Sequence, residues 1–189
     1  MTTPWPQWMT ISFQIATQPE FANDGSAYYG SYTRLLYHLF GVDGPFEVAL
    51  QHHIPETPHD AFDVVAIFTV EVKKHPVFFI QVKPPSYFRF DSKRRQADDQ
   101  MRDHFGDLRT ELITPRLPGI SAFGTRIAFY ECTLATNALT PRAIAPNPDL
   151  LSDTFPAEQW NYDILEAAGI DKMRETARDV RAMCAAAIN

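Results

Sequence analysis

The segment Asp63–Lys83, DVVAIFTVEVKKHPVFFIQVK, constrains this chain more than any other. It holds two apolar runs, Val64–Val72 and Val77–Val82, separated by the polar stretch Lys73, Lys74, His75 and Pro76. Both runs are rich in Val, Ile and Phe and are of strand length, so the segment is expected to be a β-hairpin. Side chains alternate along a strand, which places Gln81 and Lys83 on the face of Val77 and Phe79. An amide and a lysine closing an apolar strand, followed by Pro84 and Pro85, are the polar features to be explained.

Register decides what that face can contain. A hairpin closed over Lys73–Pro76 with Val72 opposite Val77 would put Asp63 on the face opposite Lys83. A one-residue shift, or a bulge, would bring Asp63, Gln81 and Lys83 to one face.

Around the hairpin the pattern is that of an α/β chain. Tyr28, Tyr32, Leu35, Leu36, Leu39 and Phe40 recur at helical spacing before Gly41. A strand is expected near Met9–Ile15, a loop over Thr17–Ser26, and a strand over Phe46–Gln51. After the hairpin, Asp91 or Ser92 can cap a helix whose apolar stripe is Ala97, Met101, Phe105, Leu108 and Leu112. Gly119–Thr133 is expected to be a strand pair turning at Gly124 and Thr125. Thr140–Pro156 is proline-rich and polar, a connecting segment. Ile170, Met173, Ala177, Val180, Cys184 and Ile188 form the stripe of a last helix. With 189 residues and 45% hydrophobic content, one domain is expected over 1–189. It carries an N-terminal extension of about 1–27 and a C-terminal helical segment of about 157–189.

The acid, hairpin and Gln81-Val82-Lys83 triplet resemble the PD-(D/E)xK nuclease superfamily. Its pattern is an acid opening one strand and acid-x-Lys on the next, here separated by 18 residues from Asp63 to Gln81. The wording FDVV, VFFIQVKPPS, KRRQADDQMR and GISAFGTRIAFYE is similar to an uncharacterised fungal branch of that superfamily. The resemblance covers Tyr28–Glu131 best. It implies a restriction-endonuclease-like core, a central mixed β-sheet flanked by helices in α-β-β-β-α-β order.

It also implies a chemistry. In the family, carboxylates hold Mg²⁺ (or Mn²⁺), hard cations that take oxygen ligands and activate water, while a lysine stabilises charge on the phosphate. Carried over, the catalytic set is Asp63, Gln81 and Lys83, and the metal ligands are Asp63, Gln81 and the Val82 carbonyl. The expected nucleic-acid contacts are Arg89, Lys93, Arg94, Arg95 and Gln100. Gln81 stands where the family has an acid, and Tyr28–Phe40 carries none. Glu71, Asp60 and Glu47 are the carboxylates placed to compensate.

Three functions stay open: a Mg²⁺-dependent nuclease acting on DNA, a silent relative that binds nucleic acid, and a protein-interaction module, including a homodimer. The net charge is −6, with a pI near 5.4, so no global field draws nucleic acid. Basic residues are local instead: Lys73, Lys74, Arg89, Lys93, Arg94, Arg95 and Arg102. His52, His53, His59 and Asp60 lack the spacing of a metal cluster. Cys132 and Cys184 imply neither a disulfide framework nor a zinc site. No signal peptide or membrane-length apolar run is read, so an intracellular protein of nucleus or cytoplasm is expected. A Gly-rich phosphate loop and a Gly-x-Ser-x-Gly elbow are both missing from the sequence.

Overall fold

A mixed β-sheet flanked by helices on both faces organises the chain. The computed structural model describes residues 2–53, 65–145 and 155–188. The strands are β1 (Phe46–His53), β2 (Val65–Val72), β3 (His75–Lys83), β4 (Arg116–Phe123), β5 (Arg126–Thr133), β6 (Ala138–Thr140) and β7 (Tyr162–Asp163). They lie in the order β1-β2-β3-β4-β5-β6, with β7 on β5. Among the described strands only β3 and β4 pair in parallel, and the chain crosses between them through α3 (Asp91–Leu108). That crossover is what parallel pairing demands.

Helices α1 (Gln7–Ala16), α2 (Tyr29–Phe40) and α4 (Ala167–Ile188) cover one face, and α3 covers the other. The alternation of β2 and β3 sorts the core. Ala66, Phe68, Val70, Phe78, Ile80 and Val82 face α2 and α4. Ile67 and Phe79 face Ala97, Met101 and Phe105 of α3. Leu35 and Met101, on opposite faces of the sheet, are both fully buried.

Three elements differ from the sequence expectation. Met9–Ile15 is helix, not strand: Met9, Phe13 and Ala16 recur at helical spacing and are buried, while Trp8, Ile11 and Ile15 stay exposed. The β-branched residues that suggest a strand are therefore its solvent side. Thr17–Ser26 contains two 3₁₀ turns, Pro19–Phe21 and the start of Gly25–Tyr28. At α3, Phe90 is the cap and no side chain caps the first turn.

The hairpin closes over two residues. Lys73 and Lys74 both take positive φ, 52° and 69°, and Val72 pairs with His75. Positive φ at both central positions is the primed turn that matches strand twist. Glu71 then pairs with Pro76 but Val70 with Phe78, so Val77 is the extra residue of a bulge. Beyond the bulge, Ile67 lies opposite Gln81 and Ala66 opposite Val82.

Among the described residues, no helix is long and apolar enough to cross a membrane.

Candidate functional site

The sheet brings Gln81 and Lys83 to the α3 face at the C-terminal end of β3. Phe79, two residues before Gln81, contacts the rings of His104 and Phe105 on α3. Period-two alternation keeps Gln81 and Lys83 on that side. Both are buried, each 2% exposed. Val82 faces the opposite core, and its backbone lies in the ladder between Ala66 and Ala122.

The exit of β3 is fixed by its neighbours. Lys83 O accepts from Gly124 N at 3.2 Å, and Gly124 O accepts from the Tyr32 hydroxyl at 2.7 Å. Gly124 has φ +62°, and a Cβ there would sit 2.9 Å from Pro85 and from the Tyr28 hydroxyl. A Cβ at Gly25 would meet Pro84 at 3.2 Å. Pro84 and Pro85 are thus held between two glycine backbones, which fixes where the chain goes after Lys83.

Gln81 Nε2 donates to Gln100 Oε1 of α3 at 3.3 Å. Gln81 Oε1 is buried with no hydrogen-bond partner in the protein, and the same holds for Ser121 Oγ. Gln81 and Ser121 are register partners across the parallel β3–β4 pair. Two unsatisfied buried oxygens on adjacent strands mark a place where a small polar ligand or water would be held. A cavity of about 50 Å³ reaches Gln81 between Ile67, Gln100, Asp103, His104 and Asp107.

The expected basic surface divides in two. Arg89 is exposed, and Lys93 is partly so. Arg94 is not a surface cation. It is 7% exposed, and its guanidinium donates to Phe155 O at 2.9 Å and Phe88 O at 2.6 Å and pairs with Asp91. Arg95 is half-buried, its guanidinium 5.5 Å from the Phe155 ring. Helical spacing turns Arg94 inward, one position short of Arg95.

Asp63 lies outside the described residues, as do His59 and Asp60. Glu71 and Glu47 do not take its place. They are register partners at the hairpin end, and Glu47 pairs with Lys74. Glu71 is five residues, about 17 Å, along β2 from the row of Val82. Among the described residues no three His, Cys, Asp or Glu side chains converge to hold an ion. Gln81 and Val82 would supply neutral oxygens only. The described residues therefore do not by themselves fit a divalent metal.

Sequence reasoning missed Ser121, whose signal was a hydroxyl inside the apolar run LPGISAF. It also missed the buried network behind α3. Asp98 accepts from Arg102 Nε at 2.6 Å, the Tyr130 hydroxyl at 2.9 Å and Gln159 Nε2 at 3.1 Å. Burial and the Asp98 carboxylate push the Tyr130 phenol well above its ordinary range. Burial, then Asp98, raises the Asp99 carboxyl. The network ties α3, β5 and the Ala157–Trp160 turn together, so it holds the site's outer helix in place.

No protein-family model, curated protein or solved structure matches the chain.

Proposed function

We propose that the chain is a restriction-endonuclease-like protein that binds a nucleic-acid backbone at the Gln81–Lys83 end of β3. The observation that carries this reading is the run of cations at the exit of β3: Lys83 ends the strand, and exposed Arg89 and partly exposed Lys93 follow it. The order α2-β1-β2-β3-α3-β4 supports it, since this is the α-β-β-β-α-β order that the resemblance implies. Lys83 would stabilise phosphate charge in a site with little water, where a fixed cation acts strongly. Arg89 and Lys93, on the exit of the same strand, would contact adjoining phosphates.

Mg²⁺- or Mn²⁺-dependent hydrolysis of DNA is the activity that the resemblance implies, and it requires a carboxylate that the described residues do not bring to this end of β3. A silent nucleic-acid binder is the second reading. It is favoured by the Gln81–Gln100 hydrogen bond, in which one amide occupies another where a carboxylate would face a cation.

One set of measurements separates them. Plasmid and single-stranded DNA are incubated with Mg²⁺ or Mn²⁺, and binding of both is followed by anisotropy, for wild type, Lys83→Met and Gln81→Glu. Metal-dependent cleavage lost in Lys83→Met establishes the nuclease. Binding weakened by Lys83→Met, without cleavage in wild type or Gln81→Glu, establishes the silent binder. Absence of binding to either DNA by folded wild type overturns both.

A further inference from the structure

Directly after Lys83 the chain runs PPSYFRF, and each of its three rings has a cation over it, Phe88 two, with Arg94 5.6 Å away as the second. Lys93 Nζ lies 4.8 Å from the Tyr87 ring centroid. The Arg126 guanidinium lies 4.9 Å from that of Phe88, and the Arg89 guanidinium 4.6 Å from that of Phe90. Tyr87 and Phe88 are half-buried, whereas Phe90 is 46% exposed, and Arg89 and Arg126 are exposed. The acid closest in sequence, Asp91, is occupied by Arg94.

This turn sits at the site. The Phe88 ring packs on Phe123 at 5.9 Å, and Phe123 is the register partner of Lys83. Tyr87 and Phe88 pack against the core beneath α3, whereas Phe90 leaves almost half its surface in water. What the exposed part of the turn supplies is the Phe90 ring and the planar cations of Arg89 and Arg126, on the chain that leaves a buried lysine. A guanidinium lying on a ring keeps its outer plane open to a nucleobase and its edge open to phosphate. Bases can reach such faces only when they are unpaired. With a net charge of −6, the protein has no long-range field to hold duplex phosphates, so short-range stacking has to provide the grip.

We infer that the Tyr87–Phe90 turn is a base-stacking platform, and that the nucleic acid engaged at the Lys83 end is single-stranded. The inference rests on the nucleic-acid reading above and names its substrate class.

Fluorescence anisotropy at one fixed salt concentration tests it with three probes of equal length: labelled oligothymidylate, an abasic deoxyribose-phosphate oligomer, and a duplex. Oligothymidylate is expected to bind about 5- to 100-fold more tightly than the abasic probe, the range for one or a few stacked bases. Phe90→Ala is expected to erase that margin, with abasic affinity falling by a smaller factor through the loosened Arg89, and Phe90→Trp to restore it. Phe90 is exposed, so both variants keep the fold, which melting curves verify. Equal affinity for thymidylate and abasic probes, or tighter binding of duplex than of either, overturns the platform and leaves phosphate binding standing. Failure of all three probes to bind overturns the nucleic-acid reading, and the platform with it.

Discussion

Gln81 on β3 and Ser121 on β4 stand side by side in a parallel register, each burying an oxygen that no protein group satisfies. An unsatisfied buried polar atom forfeits about 1–3 kcal/mol. The two share one row of the α3 face, with Lys83 and Phe123 in the next row and Phe79 and Thr69 in the one before. Thr69 Oγ1 and Trp160 Nε1 also lack partners, but the parallel β3–β4 register places neither in that row.

Replacing Gln81 with Leu tests whether the row is only packing. Leucine has nearly the same volume, and Gln100 is half-buried and can turn to water. If nothing polar occupies the row, Gln81→Leu changes unfolding free energy by less than about 1 kcal/mol in urea titration. A bound water or ion would instead be lost, and the expected cost rises to about 2–3 kcal/mol. The second outcome would show that the row holds a polar guest in the folded protein.

Alternation made the hairpin and its two faces legible, because each apolar run fits a half- or fully buried strand. The register was not legible. It depends on a two-residue turn at Lys73 and Lys74, and lysine is not a residue that favours left-handed backbone, so nothing local announced it. The bulge at Val77 follows from that turn. Ser121 was hidden for another reason: its partnership with Gln81 crosses a parallel pair whose register is set by the packing of α3. In α1 the period is hidden, because Ile11 and Ile15 are exposed and the buried stripe is the sparser Met9, Phe13 and Ala16.

The turn offers a stability test. Holding Lys73 at φ 52° carries a left-handed strain of about 1–2 kcal/mol for an ordinary side chain. Lys73→Asn relieves part of it and is expected to stabilise by about 0.5–1 kcal/mol. Its melting temperature should rise by about 1–4 °C in calorimetry. A fall in melting temperature would show that the hairpin closes differently in solution.

Alkaline pH probes the network behind α3. Tyr130 and Tyr32 have phenols raised above their ordinary value of 10.0, chiefly by burial. Above that pH the unfolded chain releases protons that the folded chain keeps, so stability is full below about pH 10 and falls as pH rises beyond it. Each such tyrosine removes about 1.4 kcal/mol per pH unit there. Tyr130→Phe loses its bond to Asp98 and is expected to be about 1–2 kcal/mol weaker than wild type near neutral pH. That deficit should shrink by about 1.4 kcal/mol by about pH 11, because the variant lacks one titrating group. Urea midpoints measured at the two pH values give the answer, and a constant deficit would refute the assignment.

Arg94 and Arg89 look alike in sequence, and the structure gives them opposite duties. Arg94 collects two backbone carbonyls and Asp91 around a nearly buried guanidinium, so Arg94→Ala leaves acceptors stranded and should cost about 2–4 kcal/mol. Arg94→Lys should not recover it, since one ammonium cannot reach acceptors that converge from three directions. Arg89 points to solvent over Phe90, and Arg89→Ala should alter stability by less than about 0.5 kcal/mol. Its effect should fall on single-stranded DNA affinity, weakened about 5-fold or more through loss of one cation and its stacking plane. Melting curves and anisotropy on both variants separate the two duties. Should Arg89→Ala lose stability and keep affinity, the exposed turn is a brace for α3 rather than a contact surface, and the nucleic-acid face must be sought away from Phe90.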